Sequence, residues 1–186
     1  MIFFAIWSVR EIVIQPIFLS PLGNFTSSII GAIIKLLVWT LPAILLIRRF
    51  NGDMFISFEE MFTTKPRLSK CAPFLAIIFV VPLIQAILWG GEIAIDPSFV
   101  PTRLIGAVLF VGITEEIVFR GFLLNTFLKR MKTWQAVTLD AILFYLIHIP
   151  IWIYQAHNMA FFLSAIVTVI GLSVLFAYSF IKSGSA

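Results

Sequence analysis

The sequence predicts an all-α fold, a polytopic integral membrane helix bundle of about six spans, and three observations predict it. The 186 residues are 61% hydrophobic and only 12% charged, with a mean hydropathy of +1.07, so there is too little polar surface to clothe a soluble core. Apolar runs of the length a bilayer demands, about 20 residues, recur along the chain. The polar segments between them alternate between basic and non-basic, as membrane topology requires. Residues 1–186 therefore read as a single membrane domain with the lipid bilayer as its first partner. A net charge of +4 would suggest nucleic acid for a soluble protein. Here the basic residues gather in loops, so no nucleic-acid partner is expected. The single cysteine, Cys71, excludes an internal disulfide. No early basic stretch leads into a small-residue cleavage site, so no cleavable signal peptide is expected.

The elements follow in order. Residues 2–19 are apolar but carry Arg10, Glu11, Gln15 and Pro16. They form either a first span with a buried Arg-Glu pair or an interfacial helix, and the span is preferred. Pro21-Leu22-Gly23-Asn24 signals a turn. Residues 26–47 form a span containing Lys35 and Pro42, with Lys35 expected to snorkel or face neighbouring helices and given no functional role. Residues 48–70 are the longest polar stretch. Phe55, Phe58, Met61 and Phe62 recur there at near-helical spacing, which suggests a short amphipathic helix on the membrane surface. Glu59-Glu60 in that stretch reads as a solvated charged face. Residues 71–90 form the next span and 91–103 a loop. Residues 104–128 are a span, 129–132 a basic loop, 134–154 a span and 159–181 the last span. The basic loops are 48–70, 129–132 and the tail at Lys182. Placing them in the cytosol puts both termini inside.

The stretch that this architecture does not explain is Thr114-Glu115-Glu116-Ile117-Val118-Phe119-Arg120. A charge at bilayer depth costs about 2.5–3.5 kcal/mol on insertion scales, and here three lie within one apolar run. On a helix Glu116 and Arg120 share a face and pair, with the glutamate N-terminal in the better orientation. Glu115 points elsewhere, free of that pair and available. Counting rise along the helices, Glu115 lies about 21 Å from the basic loop and His148 about 24 Å from it. Arg120 and Asp140 lie about 13 and 12 Å deep by the same count. Two level contacts are therefore expected across the short loop, Glu115 with His148 and Arg120 with Asp140. A carboxylate and an imidazole at one depth form a general base and its partner for a water molecule. The same pair could ligate a divalent metal, although the two-histidine helical spacing of a zinc protease is missing. Residues of this kind in a membrane also fit a helix-locking device or a proton or ion pathway.

Glu115-Glu116-x-x-x-Arg120, followed one helix later by Phe144-x-x-x-His148, resembles the first two motifs of the CPBP family. That family comprises type II CAAX prenyl endopeptidases, bacteriocin-processing proteins and abortive-infection proteins. The resemblance spans residues 104–186. It implies an intramembrane endopeptidase of a bacterial plasma membrane, acting on a lipidated CAAX-type protein or a bacteriocin-like peptide. It further implies that Glu115 activates water with His148, while Glu116 and Arg120 brace the site. Members are described both as metalloproteases and as glutamate-dependent peptidases, so no cofactor is required by the resemblance and a divalent metal is compatible with it. Known members also carry a final helix with His-x-x-x-Asn or Asp, which holds the scissile carbonyl. No such motif occurs in these 186 residues, since His157 is followed by Phe161 four residues on. Arg120 reads as the only other buried donor, and slow cleavage by the 186-residue chain is expected. The alternative is a catalytically impaired membrane protein serving bacteriocin self-immunity or a scaffold.

Overall fold

The computed structural model describes residues 2–22, 24–65, 69–70, 72–74, 76–77, 80, 83, 87 and 111–183. Among these residues the chain is helical and contains no strand. Helix α1 runs Ile2–Val9 and continues as Arg10–Leu19. Helix α2 runs Asn24–Lys35, Leu36–Thr40 and Leu41–Arg49 without a break. A short α3 covers Phe58–Thr63. Helix α4 comprises Ile113–Glu116, Ile117–Leu124 and Asn125–Arg130. Then come α5, Thr133–Leu146, α6, Ile149–Tyr154, and α7, which runs from Met159–Ala165 through Ile166–Ile170 to Gly171–Ser183.

Three described stretches are long and apolar enough to cross a membrane: Ile29–Arg49, Thr133–Tyr154 and Met159–Ser183. Most of the expected span 71–90, the loop 91–103 and the start of the span at 104 lie outside the described residues. Departures from ideal winding have local causes. In α1 the turns widen over Arg10–Leu19, which contains Pro16, and in α2 over Leu36–Thr40, just before Pro42. A proline interior to a helix removes one N–H donor and pushes on the turn before it, so the backbone loosens there. Pro150 acts more strongly. The single span expected over 134–154 is interrupted at Ile147-His148, and α6 starts afresh with Pro150 in its first turn.

The buried residues fall into two groups. One, at the basic end, gathers Ile47, Met61, Leu124, Val137, Ala177 and Phe180 from five helices. Phe127, Leu128, Met131 and Ile181 pack against it, so the basic ends of α2, α4 and α7 share one end of the bundle. The other group is Trp39, Ala43, Val118, Phe119 and Ile147. It forms an aromatic floor, with Phe119 edge-on to both Trp39 and Phe144 at 5.9 and 4.9 Å. Gly121 lets α4 approach closely, because a Cβ there would sit 3.3 Å from Met61 Sδ and 3.5 Å from Ile47 Cδ1.

Polar side chains fix the segment between α2 and α4. Fully buried Asn125 accepts from the Ile56 N–H at 2.7 Å and donates to the Ile56 carbonyl at 2.8 Å, doing for the loop what a neighbouring strand would do. Helix α3 begins on a capping box in which Ser57 Oγ accepts from the Glu60 N–H and Glu60 Oε2 accepts from the Ser57 N–H. Glu60 is thus more than a charged face. The short amphipathic helix expected in 48–70 is α3, with Met61 buried and Phe62 and Glu59 exposed.

Candidate active site

Adjacent residues leave a helix about 100° apart, and α4 uses this to send its two glutamates to different neighbours. Glu116 falls on the face of Arg120, whose Nη1 lies 3.3 Å from Glu116 Oε1. Arg120 has no exposed surface. Its Nε stands 3.8 Å from Asp140 Oδ2 on α5, and its Nη2 donates to Ser173 Oγ at 2.9 Å and to the Ser173 carbonyl at 3.1 Å on α7. The guanidinium also lies over the rings of Phe144 and Phe176, 4.8 and 5.5 Å from their centroids. One cation therefore holds α4, α5 and α7 together, and its enclosure leaves it no path to a substrate.

Glu115 turns the other way, toward α1 and α2. It is free of the Glu116–Arg120 pair, as the sequence led one to expect, but it has a partner of its own. Lys35 Nζ donates to Glu115 Oε1 at 2.9 Å. Of the two arrangements expected for Lys35 the structure has the second: it faces neighbouring helices and is 5% exposed. Its ammonium lies 5.1 Å from the ring centroid of Trp7 and 5.0 Å from that of Trp39, and these two rings stack at 4.1 Å. Three carboxylates, Glu115, Glu116 and Asp140, thus face two cations, Lys35 and Arg120. Beyond them Arg10 pairs with its neighbour Glu11 and lies over Trp7. Gly31 leaves room for that guanidinium, since a Cβ there would come within 2.9 Å of Arg10 Nη2.

Glu115 and His148 line one cavity of about 250 Å³. Its walls also include Trp7, Arg10, Lys35 and Trp39. The break before Pro150 places His148 between α5 and α6, where Nδ1 lies 2.7 Å from the Phe144 carbonyl. A carbonyl can only accept, so Nδ1 carries the proton and Nε2 of the neutral ring keeps its lone pair. The imidazole is further held edge-on to Phe144 and stacked on Trp152. Thus Glu115, Lys35 and His148 share a cavity, whereas Glu116, Arg120 and Asp140 form a separate network in which Arg120 and Asp140 are buried and Glu116 is partly exposed. His157, which the sequence set aside, is exposed and stacked on Phe161 in the turn that leads into α7.

The donor set fits water activation better than a metal. Among the described residues no three His, Cys, Asp or Glu side chains are grouped so that they could hold one metal ion, although Glu11 lines the cavity with Glu115 and His148. Of the three potential ligands on the cavity wall, Glu11 is paired with Arg10 and Glu115 with Lys35, which leaves His148 alone uncommitted to a cation. A zinc site takes three protein ligands and an open position, so these residues do not fit one.

Lys35 was missed because it is a single charge in an apolar run. A depth count would have found it. It lies 14 residues before Arg49, and Glu115 lies 14 residues before Lys129. Each is therefore about 21 Å from the basic end of its helix. Trp7 and Trp39 give no comparable signal, since aromatic residues in apolar spans are ordinary.

Residues 97–186, just under half of the chain, match the family model described as Type II CAAX prenyl endopeptidase Rce1-like. Glu115, Glu116, Arg120, Asp140 and His148 lie inside the matched stretch, while Trp7, Arg10, Lys35 and Trp39 lie outside it. No curated protein and no solved structure gives a match.

Proposed function

We propose, for a chain whose residues 97–186 belong to the type II CAAX prenyl endopeptidase Rce1-like family, that it is an intramembrane peptidase in which Glu115 activates water beside His148. The observation that carries this reading is the cavity the two residues share. Glu115 takes a proton from water, and the water oxygen attacks the peptide carbonyl carbon. The C=O electron pair moves onto oxygen. Collapse then expels the amine, which receives the proton. His148 Nε2, held open by the Nδ1 bond to Phe144, accepts the second hydrogen of the water and orients it. No step runs through a metal.

The substrate we propose is a short segment of a membrane-embedded or lipidated peptide. The cavity is smaller than the roughly 300–1,000 Å³ that encloses a drug-sized ligand, so a peptide unit and a water fit while a prenyl chain stays in lipid. A CAAX-type end or a bacteriocin-like peptide meets that description. A second reading, a non-catalytic immunity or scaffold protein, draws on one observation: Lys35 occupies the carboxylate that would act as base.

The test is cleavage of a farnesylated CAAX peptide and of a bacteriocin-leader peptide by the full chain in phospholipid nanodiscs. Glu115→Gln keeps the size and should lower turnover by about 10²–10⁴-fold, the usual worth of general base catalysis. His148→Phe keeps the ring contacts and should lower it in the same sense. Chelation by EDTA should leave turnover unchanged. Turnover by Glu115→Gln equal to that of the parent would remove Glu115 as the base, and no turnover by the parent would favour the second reading.

A further inference from the structure

We infer that Lys35, on a helix outside the family-matched stretch, is a catalytic residue whose ammonium leaves Glu115 for the oxyanion formed on the substrate carbonyl. The inference rests on the peptidase reading above and supplies what that reading lacks. Acyl transfer needs a donor aimed at the developing negative oxygen, and one such donor is worth about 10²–10³ in rate. Arg120 is enclosed by Glu116, Asp140 and Ser173, so it cannot serve. Lys35 lines the cavity with Glu115 and His148.

Four features suit it to the task. The ammonium is one hydrogen-bond length from the proposed base, at 2.9 Å. Its stem is buried and its head lies about equally far from the stacked rings of Trp7 and Trp39, 5.1 and 5.0 Å from their centroids, so it is fixed in the cavity and kept from snorkelling to a membrane surface. Of its three N–H donors, one goes to Glu115, and no other described residue accepts from it. The second cation of the cavity, Arg10, is paired with Glu11, which leaves Lys35 as the one that shares its partner with the reaction.

The charge balance then drives the exchange. Before attack, the negative charge sits on Glu115. As the water O–H bond breaks and the O–C bond forms, the proton arrives on Glu115 and the charge reappears on the carbonyl oxygen. Lys35 is left beside a neutral acid and a new anion. A buried cation without a counter-charge is costly. Turning to the oxyanion removes that cost at the moment the charge develops. The interaction is therefore stronger in the transition state than in the ground state, the condition for raising kcat. When the amine leaves with the proton from Glu115, the carboxylate is regenerated and Lys35 returns to it. Atoms and charges close without another reactant.

The experiment compares kcat and KM for the full chain and its variants in nanodiscs, on the farnesylated CAAX peptide. Lys35→Met is expected to lose about 10²–10³ in kcat with little change in KM. Lys35→Ala is expected to regain activity with added propylammonium, which restores the missing N–H donors. The trimethylated form of the same amine has none and should not rescue, and no amine should rescue Glu115→Gln. A charge kept only for folding would not produce rescue that depends on N–H donors. Parent-like kcat in folded Lys35→Met overturns the inference while the Glu115 reading stands, and so does Lys35→Ala that no amine restores. Should Lys35→Met fail to accumulate, Lys35→Gln, which keeps a donor to Glu115, is read in the same way. Parent-like turnover by Glu115→Gln, or none by the parent, overturns the peptidase reading and this inference with it.

Discussion

Arg120 and Asp140 face each other across α4 and α5 at 3.8 Å, both fully buried, and no hydrogen bond joins them. The contact is one of charge. Removing one partner of such a pair leaves an uncompensated charge and costs about 3–5 kcal/mol. Arg120→Leu should therefore lower stability in detergent by that amount. Asp140→Asn should cost less in the Arg120→Leu background than alone. A double-mutant cycle in which the two changes simply add would show that they are uncoupled.

Asn125 should prove as important to folding as any apolar core residue. Both of its amide atoms are committed to the backbone of Ile56, at a site closed to solvent. Asn125→Leu leaves an N–H and a carbonyl without partners, at about 1–3 kcal/mol for each group. Unfolding of the variant in detergent should show that loss. A parent-like midpoint would mean that the 54–57 segment is held by something else.

The cap of α3 is open to a pH measurement. Hydrogen bonds from the Ser57 backbone N–H, and then from its hydroxyl, hold the Glu60 carboxyl below the usual carboxylate range. The sign follows from linkage. These bonds favour the charged form, so their contribution is present above the ordinary glutamate pKa and is lost as pH falls through the lowered one. Ser57→Ala should move the Glu60 titration, read by carbon-13 NMR of the side-chain carboxyl, upward. An unmoved titration would show that the capping box does not form in solution.

The orientation of the bundle is our fourth prediction. The basic ends of α2, α4 and α7 lie together, and His157 lies in the turn between α6 and α7. Reporter fusions at Met61 and Met131 should read cytosolic, and one at His157 should read external. A fusion at Pro97, outside the described residues, should agree with His157. A cytosolic reading at either external position would reverse the assignment made from charge.

How much of this was legible in the sequence differs from residue to residue. The Glu116–Arg120 contact follows from the four-residue spacing on one helix, and the Arg120–Asp140 contact from equal depth across a short loop. The shared cavity of Glu115 and His148 follows from the same count. The Lys35–Glu115 contact obeys that rule too, but it joins helices 80 residues apart, where nothing in the sequence says which spans are neighbours. Asn125 was illegible for another reason. An asparagine inside a helix has no periodic signature, and its partner is an irregular loop. Pro150 could have been read as a break, since it removes a donor, yet length and hydropathy alone made 134–154 look continuous.

The Lys35–Glu115 pair also bears on how the chain is made. Synthesis delivers α2 to the bilayer long before α4, because the lysine precedes its glutamate by 80 residues. A carboxylate entering the hydrocarbon alone meets a barrier of about 2.5–3.5 kcal/mol. Here a cation beside two stacked tryptophans is already waiting at matching depth. Reversal of the pair, Lys35→Glu with Glu115→Lys, would keep the attraction but leave an acid to await a base beside two stacked tryptophan rings that give it no cation–π contact. The early helices thus act as a receptor for the later one during biogenesis.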